Sequence, residues 1–259
     1  MSSKELQIVV PMAGRGSRFA REGYELPKPL IDVAGRPMID VVVSNLKPSC
    51  PHRFLFVVQS SHVADHSLDV ILRDASPGCS IIQIDHVTQG AACTVLEARQ
   101  MLDSSAPLMI ANCDQWVDAS IDDYLNAFRS QDVDGFMMVM PETDPKWSFA
   151  SVDSDGWVTR VVEKEPISDI ATVGIYNFSR AGSFTAAADS MISAGRSVNN
   201  EFYVAPVYNE MIEFGARVAT WNVESEGPAM YGLGTPADLE RFLSAPPRSF
   251  ASVPAGRAV

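Results

Sequence analysis

The densest chemistry in the chain lies in PMAGRGSRFAREGYELPKPL, residues 11–30. Gly14-Arg15-Gly16-Ser17-Arg18 follows directly on a short β-branched run, and Pro27-Lys28-Pro29 closes the segment. Glycines let successive backbone N–H groups converge into a nest for a phosphate chain. Arg18 and Lys28 would neutralise charge developing on a transferring phosphoryl group, and the flanking prolines stiffen the placement of Lys28. Neither common glycine fingerprint fits. Phe19 stands where G-x-G-x-x-G needs its third glycine, and no G-x-x-x-x-G-K-[ST] is present. The plain alternative is a glycine turn with surface cations.

Further along, Asp114 ends the apolar run Leu108-Met109-Ile110-Ala111. Strand ends of that kind carry the ligand edge of α/β sheets. Asn112 shares its face by alternation; a cap or turn residue is the bland reading of Asp114. Gln89-Gly90 opens a helical stretch, so its N–H groups could meet a base or phosphate, or form an ordinary glycine N-cap. Lys164 in Glu163-Lys164-Glu165 reads alone as a solvated charge run. Glu201, within Asn199-Asn200-Glu201-Phe202-Tyr203, could accept hydrogen bonds from ligand hydroxyls or decorate a loop. His62 and His66 stand i,i+4, but Val63 replaces the glutamate of H-E-x-x-H, which leaves a solvated helix face. Trp147 and Trp157 read as core or oligomer contacts. Asp122, Asp123, Asp132 and Asp134 read as helix-end and surface charge.

The elements that must position these groups follow from periodicity. Strand patterns at 6–12, 54–58, 81–84, 108–111 and 136–140 alternate with helical patterns at 37–46 (Pro37 at its first position), 62–73, 91–102 and 121–130. Residues 13–36 read as a long loop. Such alternation means βαβ units and a largely parallel sheet. After Pro141 the pattern changes to strands at 148–152 and 157–162 around Asp155-Gly156, a hairpin signal. A strand at 170–178, helices at 181–194 and 206–214, a strand at 217–223 and a helix at 236–243 follow. The tail from Ala245 is rich in Pro, Ala and Ser and reads as disordered. The expected organisation is one α/β domain over 1–244, with a Rossmann-like, mostly parallel mixed sheet flanked by helices and a small C-terminal elaboration.

Composition bounds the partners. The chain has 259 residues, 46% hydrophobic and 20% charged, the balance of a globular protein. A net charge of −12 disfavours nucleic acid and anionic membranes. No apolar run approaches the ~18 residues of a spanning helix, and Met1-Ser2-Ser3-Lys4-Glu5 is not a secretory signal. Cys50, Cys79, Cys93 and Cys113 form no C-x-x-C pair, so a reducing cytoplasm is the expectation.

G-x-G-S-R followed by P-K-P-L resembles the signature of the sugar-phosphate nucleotidyltransferases, or NDP-sugar pyrophosphorylases. The resemblance recurs in order: Gln89-Gly90-Ala91-Ala92 resembles the base-contacting segment, Ala111-Asn112-Cys113-Asp114 the strand-end aspartate that holds magnesium, Glu163-Lys164 and Thr172-Val173-Gly174 the sugar-phosphate site, and Gly232-Leu233-Gly234-Thr235-Pro236 the late glycine–threonine turn. It implies a fold of the nucleotide-diphospho-sugar transferase type, with a nucleotide-binding half over about 1–140 and an acceptor-binding half over about 141–244. Nucleotide contacts are implied for Met12, Ala13, Gly14, Gly16, Ser17, Gln89, Gly90 and Asn112. The resemblance gives Arg18 and Lys28 the triphosphate, Asp114 the Mg2+, Lys164 the acceptor phosphate, and Glu163, Gly174 and Glu201 the rest of the acceptor. The implied partners are a nucleoside triphosphate and a small phosphorylated acceptor, and because relatives commonly form dimers or tetramers a homo-oligomer is compatible with it. PMAGRGSRF, TQGAACTVLEA and EFYVAPVYNEMI are most similar to members linked to capsular or surface polysaccharides. Many members place a second metal-binding aspartate where Gly232 stands here; Glu224, Glu226 or Asp238 could substitute, although Asp238 also fits a capping box with Thr235. Two rivals are a glycosyltransferase, which usually carries Asp-x-Asp where Asn112-Cys113-Asp114 stands, and a non-catalytic homologue that binds nucleotide as a regulatory subunit.

Overall fold

A computed structural model of the chain describes residues 4–14, 16–224 and 228–251. β1 (Leu6–Pro11) leads into α1 (Ser17–Arg21), a 3-10 turn over Lys28–Leu30, the small hairpin β2 (Asp32–Val33) and β3 (Arg36–Pro37), and α2 (Met38–Leu46). β4 (His52–Gln59), α3 (Ser60–His66), α4 (Leu68–Ala75), β5 (Ser80–Ile84), α5 (Ala91–Leu96) and β6 (Leu108–Ala111) follow. β7 (Gln115–Val117), α6 (Ile121–Ser130) and β8 (Gly135–Pro141) complete the first half. The second half runs β9 (Ser148–Val152), β10 (Val158–Glu163), β11 (Ile170–Phe178), α7 (Ala181–Ser193), α8 (Val207–Glu213), β12 (Val218–Asn222), β13 (Met230–Gly232), α9 (Pro236–Ser244) and α10 (Arg248–Ala251).

Nine strands form one mixed sheet with the order β10-β9-β11-β6-β1-β4-β5, and β8 pairs both β11 and β12. β1 is parallel to β4 and β6, β4 to β5, and β8 to β12. The pairings of β11 with β6, β8 and β9, and of β9 with β10, are antiparallel. Half of the pairings are therefore antiparallel, more than the strand–helix alternation suggested. The connections among β8, β9 and β10 are too short for the dozen or so residues that a parallel crossover needs.

Both sheet faces are covered, and period-two alternation sorts the side chains between them. Ile8, Val10, Phe54, Phe56 and Met109 pack on one face with α2, α4 and α6. Val9, Leu55, Val57, Leu108 and Ile110 pack on the other with α5, α7 and α8. No helix among the described residues is long and apolar enough to cross a membrane.

Five expectations change. The loop at 13–36 contains α1, which leaves Gly16 at φ 58° and is anchored by Phe19, 1% exposed. Pro37 precedes α2 instead of opening it. The helix expected at 62–73 breaks at Ser67, whose φ of 52° is left-handed, and the one expected at 91–102 tightens after Leu96 into a 3-10 turn over Arg99–Met101. The tail departs most. Residues 245–251 fold back, and the Phe250 ring packs 5.2 Å from Trp116 and 4.8 Å from Phe242. Residues 252–259 lie outside the described residues. Phe250→Ala is expected to cost about 1–2 kcal/mol from lost ring packing; an unchanged denaturation midpoint would show that α10 adds nothing to the fold.

Candidate active site

In the strand order, β1 connects to β4 on one side, and β6 then returns to the other side of β1. That reversal opens a crevice at the carboxyl ends of β1 and β6, the usual ligand position in such sheets. The parallel register Val9↔Ile110 brings the loops after Pro11 and Ala111 out side by side. The first carries Gly14 to Lys28; the second carries Asn112 and Asp114.

Lys28 Nζ donates to Asp114 Oδ2 at 2.9 Å, with both side chains about three-quarters buried. Burial opposes the ammonium charge, but the Asp114 carboxylate more than offsets it and holds the Lys28 pKa above that of an ordinary lysine. The turn at Gly234 wraps the same carboxylate. Leu233 N–H donates to the Asp114 carbonyl at 2.7 Å, and a Cβ on Gly234 would collide with Asp114 Oδ2. The late glycine thus makes room for a carboxylate. Beside it, Gly174 has φ 76° within a register shift of β11, and a Cβ there would collide with the Asn112 amide. Asn112 N–H donates to the Gly174 carbonyl at 3.1 Å, and its Nδ2 donates to Gln115 Oε1 at 3.2 Å.

A cavity of about 820 Å³ opens over Arg18, Asn112, Asp114 and Lys164 and extends to Gly232. A neighbouring one of about 350 Å³ shares those four residues and adds Glu163, Gly174 and Glu201. A third, about 470 Å³, runs along Ala13, Gly14, Gly16, Ser17 and Gly90, and meets the second at Glu201. Most residues expected on the nucleotide and acceptor sides therefore line one connected groove; Lys28 meets it through Asp114, and Gln89 lines none of these three cavities. Met12 stands apart, 2% exposed in the core with its N–H bonded to the Val57 carbonyl at 2.9 Å. Gly90 has a structural reason of its own: its φ is 120°, and a Cβ would lie 2.5 Å from the Phe202 carbonyl oxygen. Phe202 N–H donates to the Gln89 carbonyl at 2.7 Å, and Ala92 N–H to the Phe202 carbonyl at 3.0 Å. One of the free N–H groups at the start of α5 is thus used by the protein itself.

Beside Lys164, Ser148 Oγ donates a hydrogen bond to Glu163 Oε2. Burial raises the Glu163 pKa, with Ser148 and Lys164 opposing and Glu201 adding to the rise. An acid raised by folding loses stability when ionised and regains it as pH falls through the folded pKa. Glu163→Gln is therefore expected to melt at or above wild type at pH 7, with the gap closing as pH falls into the ordinary carboxylate range. A variant less stable at pH 7 would show that the charge is compensated.

Two groove residues, Lys146 and Tyr203, lie outside the sequence reading. Lys146 lies 4.8 Å from the Trp147 ring centre, and both line the groove; Trp147 also packs against the core, as expected. Tyr203 lines it next to Glu201. The only signal is proximity: Lys146-Trp147 immediately precedes β9, and Tyr203 ends the segment that holds Glu201. Trp157 faces Arg217 at 5.6 Å, and Asp122 accepts from Ser49 N–H at 2.9 Å, a structural role as expected.

No group of three or more His, Cys, Asp or Glu suited to a metal occurs among the described residues. Asp238 is engaged in the expected capping box, accepting from Thr235 Oγ1 at 2.6 Å while its N–H donates back at 3.1 Å. Glu224 lines the large cavity; Glu226 lies outside the described residues. Asp114 in its glycine cradle fits a cation that takes one carboxylate and leaves its other positions to phosphates and water.

The profile of the MobA-like NTP transferase domain family matches residues 8–173. The bifunctional protein GlmU of Rubrobacter xylanophilus is 27% identical over 232 residues, covering 86% of this chain and 46% of GlmU. The low-salt glycan biosynthesis nucleotidyltransferase Agl11 of Haloferax volcanii is 26% identical over 180 residues, 67% of this chain and 49% of Agl11. The chain spans about half the length of these curated relatives. The crystal structure of the nucleoside-diphosphate-sugar pyrophosphorylase from Vibrio cholerae RC9 superposes with a TM-score of 0.77 at 25% identity, covering 92% of this chain and 99% of that one.

Proposed function

The chain belongs to the MobA-like NTP transferase domain family, and from that premise we propose that it is a nucleotidyltransferase acting on a small phosphomonoester, a sugar 1-phosphate or a compound of similar size. An oxygen of the acceptor phosphate attacks the α-phosphorus of a nucleoside triphosphate. The new P–O bond joins acceptor and nucleotide, while the bond from the α-phosphorus to the bridging β-oxygen breaks and its electron pair leaves with pyrophosphate. No dedicated base is needed, because a phosphate monoester with a second pKa of about 6 is largely dianionic at neutral pH. The task is to hold two anions in line and screen their repulsion.

The observation that carries this reading is Asp114, which lines the groove with Arg18 and Lys164 and is paired with Lys28 at 2.9 Å. Arg18 and Lys28 take the triphosphate. Asp114 would hold Mg2+, which would supply positive charge to offset that of the phosphates. Lys164 takes the acceptor phosphate, and Glu163, Gly174 and Glu201 shape the rest of its pocket. Ala13, Gly14, Gly16, Ser17, Gln89, Gly90 and Asn112 frame the nucleotide, with Met12 contributing support from beneath. Residues 1–244 act as one catalytic domain whose two halves, meeting near residue 140, supply the nucleotide and acceptor sides. The cytoplasm suits four free cysteines, and the acidic surface suits small-molecule partners over nucleic acid. Service to a capsular or surface polysaccharide, and assembly as a homo-oligomer, rest on the motif resemblance alone.

A pyrophosphate-release screen with magnesium, crossing CTP, UTP, dTTP, GTP and ATP with sugar 1-phosphates and other small phosphomonoesters, tests the reading. Release that requires one triphosphate and one acceptor is expected. Turnover of a nucleotide-sugar donor would favour the glycosyltransferase, and triphosphate binding with no pyrophosphate release would favour the non-catalytic nucleotide-binding homologue.

A further inference from the structure

Lys164 is held unlike the other cations of the groove. Its backbone stands at φ 60°, a left-handed conformation uncommon for a residue of that bulk, and its N–H donates to the Trp147 carbonyl at 2.9 Å. Its Nζ donates a short hydrogen bond to the Tyr203 hydroxyl and lies 4.6 Å from the centre of that ring. Tyr203 is in turn fixed through its neighbour Phe202, whose backbone is bonded on both sides to the segment 89–92. Burial, together with Glu201 and Glu163, pushes the Tyr203 pKa up, so the hydroxyl stays neutral.

Resting on the assignment of Lys164 to the acceptor phosphate, we propose that Tyr203 is a positioning residue whose hydroxyl and ring hold the Lys164 ammonium in place for that phosphate. A lysine on a long flexible stem loses rotamer freedom when a ligand fixes it. Tyr203 removes part of that loss in advance. It occupies one of the three ammonium donors and leaves two for phosphate oxygens. The contact also ties Lys164, at the end of β10, to the loop that closes against Gln89 and Gly90, so one side chain spans the acceptor side and the wall of the nucleotide side.

The test uses the full chain, inorganic phosphate as the probe, and acetic anhydride labelling of lysines read by mass spectrometry. In wild type, phosphate protects Lys164 from acetylation. In Tyr203→Phe the phosphate needed for half protection is expected to rise about 5–10-fold, the scale for immobilising one flexible side chain. Tyr203→Leu, which also removes the ring, is expected to raise it further. Lys146, on the same groove, serves as the internal standard and acetylates at the wild-type rate in both variants. Protection in Tyr203→Phe equal to or tighter than wild type would overturn the positioning role and leave the Lys164 assignment standing. A change at Lys146 as large as that at Lys164 would mean a general loosening and would overturn it too. Absence of phosphate protection in wild type would remove the Lys164 assignment itself, and this inference with it.

Discussion

Asp114→Ala is expected to lower turnover at least ~100-fold in a protein that remains folded, the scale for losing one group that stabilises a transition state. Two effects add. The substitution removes the carboxylate proposed to hold magnesium, and it strands the Lys28 ammonium, whose raised pKa rests on that carboxylate. Lys28→Ala is expected to fall by a similar factor. Because each residue acts through the other at 2.9 Å, the double variant should lose little more than either single one. Steady-state rates of the purified variants check this. Near-wild-type turnover in either single variant, or losses that multiply in the double, would break the assignment of the pair.

The second large effect concerns stability. Gly90 has φ 120° and ψ 173°, a region essentially reserved for glycine. A Cβ there would lie 2.5 Å from the carbonyl oxygen and 2.6 Å from the nitrogen of Phe202, backbone that is itself hydrogen-bonded to Gln89 and Ala92. Neither atom can swing away as a side-chain end could. Gly90→Ala is therefore expected to cost about 3 kcal/mol or more, combining backbone strain with a clash. Gly156→Ala is the control. Its φ of 85° is also left-handed, but nothing lies within 4 Å of a Cβ there. Strain alone should cost about 1–2 kcal/mol at that turn. Equal denaturation midpoints for the two variants would show that the contact between segments 89–92 and 201–203 yields readily.

Much of this architecture is legible because it is local. The strands at 148–152 and 170–178 and the helix at 121–130 appear with the expected bounds. Ser120 caps that helix by accepting the Asp123 N–H at 3.2 Å. The failures are tertiary. β7 and β13 are three residues each and exist because Gln115 pairs with Gly232 far along the chain. Nothing in the composition around Ser67 marks a helix break. The tail holds Phe250 only because Trp116 and Phe242 offer a place for its ring.

The groove divides the same way. Arg18, Lys28, Asp114 and Lys164 stand in recognisable phrases, and the structure brings them together. The roles of Lys146, Trp147 and Tyr203 depend on how the starts of β9 and α8 converge on the end of β10, which no local pattern encodes. The glycines teach a related point. Gly90, Gly174 and Gly234 were read as ligand contacts or turn residues, yet each is required by close approach of another part of the chain. A motif glycine can mark where the protein packs on itself beside a site.

Nucleotidyl transfer fixes where each phosphorus atom of the triphosphate must end. The chain would be incubated with magnesium, the acceptor that supports pyrophosphate release, and the matching triphosphate labelled with radioactive phosphorus at the α or the γ position. The α label is expected in a product that contains the acceptor and resists phosphatase, and the γ label in pyrophosphate. A γ label on the acceptor or in free phosphate, or an α label that never joins the acceptor, would contradict nucleotidyl transfer.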